Sequence, residues 1–446
     1  MKHGNRSVRS MMFGVDTLVT LENKKRVPAI NLDNAATTPP FNRVVTEIQR
    51  QLRHYGSIGR GKGQKSEHST EIYARGRDII KNFVGANSDI YSVFYVNSTT
   101  DGMNKLASAL VESLDDLILT TRMEHHANDL PWRERAKTIY AETRQDGRLC
   151  LAHMECLLRQ HSGRVKYVAV TAASNVTGYV NDVHAIAKIA HQHGAKIIVD
   201  GAQIVAHRPF SMLGSAPDEH IDFFVFSAHK MYSPFGGGAV VGLADVLNAH
   251  IPQFYGGGMV ETVCDNTVRY LTGPDLYEAG SPNYPGVVGL LKAIELLGQI
   301  GFDYIYAHEQ RLLRKTIEAL RQFPRVKLYG DSDDISDRVG IAVFSIQGKT
   351  PEEIANTLAG RAAIAVRHAA FCAHPYVRRL TLSSECGHDE TCTLPQGMVR
   401  VSFGIYNDEN DVDALLAIIR EILANERFRS RASRAQVIRN RPRDRG

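Results

Sequence analysis

The stretch Asp222-Phe223-Phe224-Val225-Phe226-Ser227-Ala228-His229-Lys230 admits few structures. A continuous apolar run of that length, without alternation, reads as a strand buried on both faces of a largely parallel sheet. Its far end delivers a serine, a histidine and a lysine together, and Ser233-Pro234 and Gly236-Gly237-Gly238 then keep the turn tight. A lysine held there leaves bulk water and loses its proton more easily, and a neutral amine forms a Schiff base with an aldehyde. Upstream, Ala195-Lys196-Ile197-Ile198-Val199-Asp200 is a second apolar strand, and it ends in a carboxylate. A lone lysine in such a turn is more often a solvated loop residue. Lys230 together with Asp200-Gly201-Ala202-Gln203 supplies what pyridoxal phosphate (PLP) requires: an amine for its aldehyde and an anion for its pyridinium nitrogen.

Strands alternate with amphipathic helices through most of the 446 residues, which predicts an α/β fold with a large, mostly parallel sheet. One helix is plain: Asn181 or Asp182 caps it, and Val183, Ile186, Ala187 and Ala190 follow at helical spacing. After Gly301 the pattern changes. Helices near His308–Phe323, Pro351–Leu358 and Asn410–Arg427 interleave with strands near Gly340–Ile346 and Ala363–Arg367, which predicts a smaller C-terminal α/β domain. The expected division is an N-terminal arm over 1–30, a large cofactor-binding domain over 31–300, a small domain over 301–426 and a disordered basic tail over 427–446.

That tail explains the net charge of +5. It holds eight arginines and one aspartate, so the remainder of the chain is slightly acidic. A solvated terminus is the ordinary reading of such a tail, and nucleic-acid binding is not expected. No apolar run approaches a membrane span, and the short Met11–Val15 stretch falls short of a secretory signal, so a cytoplasmic protein is expected. Six cysteines in a chain of this size do not suggest a disulfide scaffold.

Open parallel sheets bind ligands beyond the carboxyl ends of their strands, so polar residues at those ends are the candidates. Tyr91–Val96 leads into Asn97-Ser98-Thr99-Thr100 and an apolar helix, whose N-terminal hydroxyls and N–H groups suit a phosphate. Asp116–Thr121 leads into Glu124-His125-His126-Ala127-Asn128, where an imidazole is placed to stack on the pyridine ring and shuttle a proton. Tyr167–Thr171 leads into Ser174-Asn175-Val176-Thr177-Gly178, whose Asn175 amide suits the cofactor's phenolic oxygen or a substrate carboxylate.

These segments, with Asn31-Leu32-Asp33-Asn34-Ala35-Ala36-Thr37-Thr38, resemble class-V aminotransferase-fold PLP enzymes from about Asn31 to Arg420, in particular the cysteine desulfurase and selenocysteine lyase branch. The resemblance implies PLP fold type I and a homodimer. Lys230 would be the Schiff-base lysine, Asp200 the partner of the pyridine nitrogen and Gln203 that of the phenolic oxygen. His125 would stack on the ring, Thr99, Thr100, Ser227 and His229 would hold the phosphate, and Ser281, where threonine is usual, would reach the partner's phosphate. Cys372 occupies the position of the nucleophile that takes sulfur as a persulfide, and Arg400, with Arg367 as a second candidate, that of the substrate-carboxylate grip. The implied reaction removes sulfur or selenium from L-cysteine or a related amino acid, with a sulfur-acceptor protein as partner. An aminotransferase, epimerase or carbon–sulfur lyase is the alternative, and a non-catalytic binding protein a more distant one.

Three departures stand out. Ala370 and Phe371 replace the two histidines usual before the cysteine. Gly59-Arg60-Gly61-Lys62-Gly63 keeps the arginine of a His-Arg-Gly-x-His segment but neither histidine. The Cys386-Gly387-His388-Asp389-Glu390-Thr391-Cys392 insertion matches no standard finger spacing, so a surface loop is expected there and no metal site.

Overall fold

The computed structural model describes residues 8–59, 61–86, 89–252, 254–381 and 397–439, with side chains to 424. Arg60 and the Cys386–Cys392 segment lie outside the described residues. The central sheet is built from β1 (Tyr91–Val96), β2 (Leu117–Thr121), β3 (Lys137–Ala141), β4 (Val165–Thr171), β5 (Lys196–Asp200), β6 (Phe223–Ser227) and β7 (Gly238–Leu243). Its order is β1-β7-β6-β5-β4-β2-β3, and only β7 runs antiparallel to its neighbours.

Side chains of a strand alternate between faces, and the sequence uses both faces for burial. Phe224 and Phe226 enter one core with Val168, Val170 and Val199, whereas Phe223 and Val225 enter another with Phe94, Ile118 and Ile198. Helices cover each face. Asp182 caps α2 (Val183–Gln192) by accepting from Ala185 N at 3.0 Å, and Val183, Ile186, Ala187 and Ala190 are its buried stripe. On the other face, α1 (Thr99–Leu110) follows β1, with Ser98 as its cap.

Because β1, β2, β4, β5 and β6 point the same way, their carboxyl ends form one rim. Ser98-Thr99, His125, Thr171, Asp200 and Ser227 all arrive there.

A second sheet, ordered β8-β9-β11-β10, comprises β8 (Val326–Tyr329), β9 (Ile341–Ile346), β10 (Arg367–Ala369) and β11 (Met398–Ser402), all antiparallel. Leu312, Leu313, Phe344, Leu358, Leu415 and Ile419 form its core. Val399 and Val401 face that core, so the alternation of β11 turns Arg400 to the opposite face, toward the rim of the large sheet.

Two segments differ from expectation. The short strand Ile30–Asn31 pairs with Ile364–Ala365, and Leu32 packs into the smaller core, so the expected start of the large domain is tied to the C-terminal layer. The last helix, Glu409–Arg439, extends its backbone into the stretch expected to be a disordered tail, consistent with the high helix propensity of arginine and alanine. Among the described residues no single helix is long and apolar enough to cross a membrane.

Candidate active site

The rim and the second sheet enclose a cavity of about 300 Å³. Thr99, Thr100, His125, Asn175, Asp200, Gln203, Ser227, His229, Lys230, Arg367, Cys372 and Arg400 all line it. Ser281 does not. It lies in a separate recess with Asn97, Asp101, Lys105 and Glu278.

Lys230 ends a single helical turn, Ala228–Lys230, directly after β6. Burial drives its pKa down to about 8, and Asp200 offsets part of that fall while Arg400 adds to it. A substantial fraction of the amine is therefore neutral near physiological pH. Asp200 is buried, which raises its own pKa, while a hydrogen bond from Ala202 N at 2.9 Å and the charge of Lys230 oppose the rise.

His125 Nδ1 accepts from Ala127 N at 3.0 Å, so the neutral ring carries its proton on Nε2. Burial first, then Lys230, holds its pKa down at about 3. His229 is pushed to about 4 by the same two causes in the same order. Gln203 donates from Nε2 to Ala35 O at 2.8 Å, and its Oε1 is buried without a hydrogen-bond partner among the described residues.

At the start of α1, Ser227 Oγ accepts from Thr99 N at 2.7 Å and lies 2.8 Å from Thr99 Oγ1. This couples the end of β6 to the helix N-terminus, whose positive dipole end favours an anion. Gly201, next to Asp200, is required sterically, because a Cβ there would run into the Phe224 ring.

Arg400 is almost fully buried. It donates from Nη1 to Asn175 O at 2.7 Å and from Nη2 to Asp33 Oδ1 at 2.9 Å, while its Nε has no partner among the described residues. Arg367, opposite it across the β10–β11 pair, reaches Asp33 Oδ2 at 3.0 Å. Asp33 thus orients both guanidinium groups, a role the sequence reading did not assign. Asn175 donates its side-chain amide to Phe371 O at 2.7 Å, which commits it to the cysteine loop. In that loop Ala369, Phe371 and Cys372 have φ of 81°, 53° and 54°, left-handed conformations costing roughly 1–2 kcal/mol each for residues with a side chain. The Cys372 side chain is exposed at the mouth of the cavity.

The model of the aminotransferase class-V family matches residues 30–415. The chain belongs to the class-V aminotransferase family. Its relatives include a cysteine desulfurase of Haloferax volcanii, 33% identical over 89% of this chain and 91% of that protein. Another, from Klebsiella pneumoniae, is 33% identical over 89% and 93%. Among solved structures, the apo cysteine desulfurase of Thermococcus onnurineus NA1 superposes with a TM-score of 0.79 at 28% identity, covering 89% of this chain and 95% of that one. The cysteine desulfurase CsdA of Escherichia coli, in an S-sulfonic acid form, gives 0.79 at 26% identity over 95% and 99%.

The fold is therefore the PLP fold type I of the class-V family, whose members are PLP-dependent. The residues present fit that cofactor. The buried Asp200 suits a pyridinium, the coupled start of α1 suits a phosphate, and Lys230 lines the same cavity. The unpartnered Arg400 Nε is a buried donor that suits a substrate carboxylate.

One class-V departure has a structural counterpart. Ala370 and Phe371 occupy the usual histidine positions, but His126 donates from its backbone N to Cys372 O at 2.7 Å, and its Nε2 accepts from His374 N at 3.3 Å. The His126 and His374 rings meet edge to face at 4.7 Å. Their contribution was not legible beforehand, because His126 joins this loop only across the fold.

Proposed function

We propose that the protein acts as a PLP-dependent cysteine desulfurase, with Cys372 as the sulfur-accepting nucleophile. The observation that carries this reading is Cys372 at the mouth of the cavity that also holds Lys230, Asp200 and Arg400. The relatives' shared description as cysteine desulfurases favours it over an aminotransferase, epimerase or carbon–sulfur lyase.

In this reading Lys230 holds the cofactor, Asp200 keeps its ring nitrogen protonated, His125 stacks on the ring, and Thr99, Thr100, Ser227 and His229 hold its phosphate. Bound PLP would supply an electron sink for bonds at the substrate's α carbon. Arg400, positioned by Asp33 and Asn175 O, grips the substrate carboxylate, and Arg367 adds charge beside it. The Cys372 thiolate attacks the sulfur of L-cysteine, so a sulfur–sulfur bond forms as the carbon–sulfur bond breaks; alanine leaves and Cys372 keeps the persulfide. The Lys230 amine, with its pKa lowered by burial, would move the protons. His126 and His374 supply the imidazoles that the chain lacks at 370 and 371.

The same reading divides the chain into an N-terminal arm, a large domain, a small domain whose layer also takes in residues 30–32, and a basic C-terminal stretch. It places a homodimer in the cytoplasm, with Ser281 serving the partner's phosphate and an acceptor protein taking the sulfur from the exposed Cys372.

Cys372→Ala is the test. It should retain the visible absorbance of the bound cofactor but lose alanine production from L-cysteine by at least about a thousandfold. Full turnover in this variant refutes the assignment.

A further inference from the structure

At the amino end of β6, about 17 Å of strand away from Lys230, three potential metal ligands converge. His191 comes from the last turn of α2, and His220 and Asp222 from the loop entering β6. One ligand atom from each lies within 4.8 Å of the other two. His191 is far in sequence from the His220–Asp222 loop, which is why sequence spacing offered no sign of the cluster.

Both imidazoles are oriented alike. Nδ1 of His191 lies 2.7 Å from Asp218 O, and Nδ1 of His220 lies 2.7 Å from Pro217 O. A carbonyl only accepts, so each Nδ1 carries a hydrogen, which leaves Nε2 of each ring as the atom that can ligate a metal. A histidine that ligates a metal is fixed in its tautomer in the same manner, by a backbone carbonyl at the other nitrogen.

Those two Nε2 atoms face one carboxylate, 2.8 Å from Asp222 Oδ2 for His191 and 3.5 Å from Oδ1 for His220. Asp222 is 1% exposed, and Ile197 N donates to its Oδ2 at 2.7 Å. Oδ1 is buried and, among the described residues, has no hydrogen-bond partner; its ion-pair neighbours are His220 and, at 3.8 Å, the half-exposed Lys196 Nζ. Either a proton on each Nε2 or one metal ion shared by all three ligand atoms satisfies this carboxylate.

We propose that His191 Nε2, His220 Nε2 and Asp222 Oδ1 form a binding site for Zn²⁺ or another late first-row divalent cation. Two imidazoles and one carboxylate suit that class of ion rather than Ca²⁺ or Mg²⁺, which prefer oxygen. His191 and His220 are only partly buried, so water completes the coordination. The ion clamps the loop over 217–222 and the start of β6 onto α2, at the end of the sheet remote from the cofactor cavity. It is a structural site, separate from the proposed reaction.

The test titrates Zn²⁺ into full-length, cofactor-loaded protein after EDTA treatment and dialysis, by calorimetry and by thermal melting. The parent should bind one Zn²⁺ per chain in a manner that His220→Gln and His191→Gln each weaken at least about tenfold, the scale on which even outer-shell partners act. Bound Zn²⁺ should raise the melting temperature of the parent and not of either variant. The Cys386→Ser/Cys392→Ser double variant should bind as the parent does, and cofactor absorbance reports that each variant is folded. Loss of binding in the double variant with retention in both histidine variants overturns the proposal. So does a parent that binds no Zn²⁺ at micromolar concentration.

Discussion

Replacing Arg400 by lysine keeps the positive charge but removes the planar fork. In the structure Arg400 uses Nη1 on Asn175 O and Nη2 on Asp33 and leaves a buried Nε unpartnered. A lysine offers one compact cation, which pairs with Asp33 or with a substrate carboxylate but does not brace both. At least one charge-assisted hydrogen bond to the substrate is lost, worth roughly 1.5–3 kcal/mol. Since about 1.4 kcal/mol is tenfold, kcat/KM for L-cysteine should fall by about ten- to a hundredfold. The carboxylate is gripped equally before and during carbon–sulfur cleavage, so the loss should lie mainly in KM and leave kcat near the parent's. Steady-state alanine production over a range of L-cysteine concentrations, with cofactor content equalised by visible absorbance, measures both constants. An unchanged KM with a collapsed kcat would show that Arg400 does not perform the grip.

Two further outcomes follow from the cavity. Protonated Lys230 is not a nucleophile, and its pKa is lowered to about 8, chiefly by burial. The rate at which cofactor-free enzyme captures added PLP should therefore rise about tenfold per pH unit below 8 and level off above it. Asp200→Asn, by removing the charge that raises this pKa, should shift the plateau to lower pH; stopped-flow absorbance reads both, and a rate flat from pH 6 to 9 contradicts the assignment. Gly201→Ala drives a methyl into Phe224, which is stacked on Phe210 at 3.9 Å and has nowhere to retreat. This variant should lose about 1–3 kcal/mol of stability, detectable by denaturant melting, together with cofactor retention.

Much of the large sheet was legible because burial on both faces leaves uninterrupted apolar runs, as in Phe223–Ser227 and Lys196–Asp200. The strand-end residues Thr99, His125, Asp200 and Lys230 could be placed by topology alone, since parallel strands bring their carboxyl ends to one rim. What stayed hidden depends on contacts distant in sequence. Asp33 acts on Arg400 from 367 positions away, and nothing in the local sequence distinguishes it from a loop aspartate. The left-handed backbone of Ala369, Phe371 and Cys372 was equally invisible, because no glycine marks it. Leu32 falls within the expected large domain but is claimed by the smaller core, a choice made by packing rather than by periodicity.

The Asp33 contact limits how this enzyme can be taken apart. One carboxylate near the start of the chain steers two guanidiniums near its end. Expressed separately, the two halves would each retain hydrophobic cores yet leave the amino-acid grip half-built, with a pair of arginines lacking their counter-ion. Circular permutants that keep residues 30–33 next to the C-terminal layer should tolerate rearrangement better than any truncation that trims them.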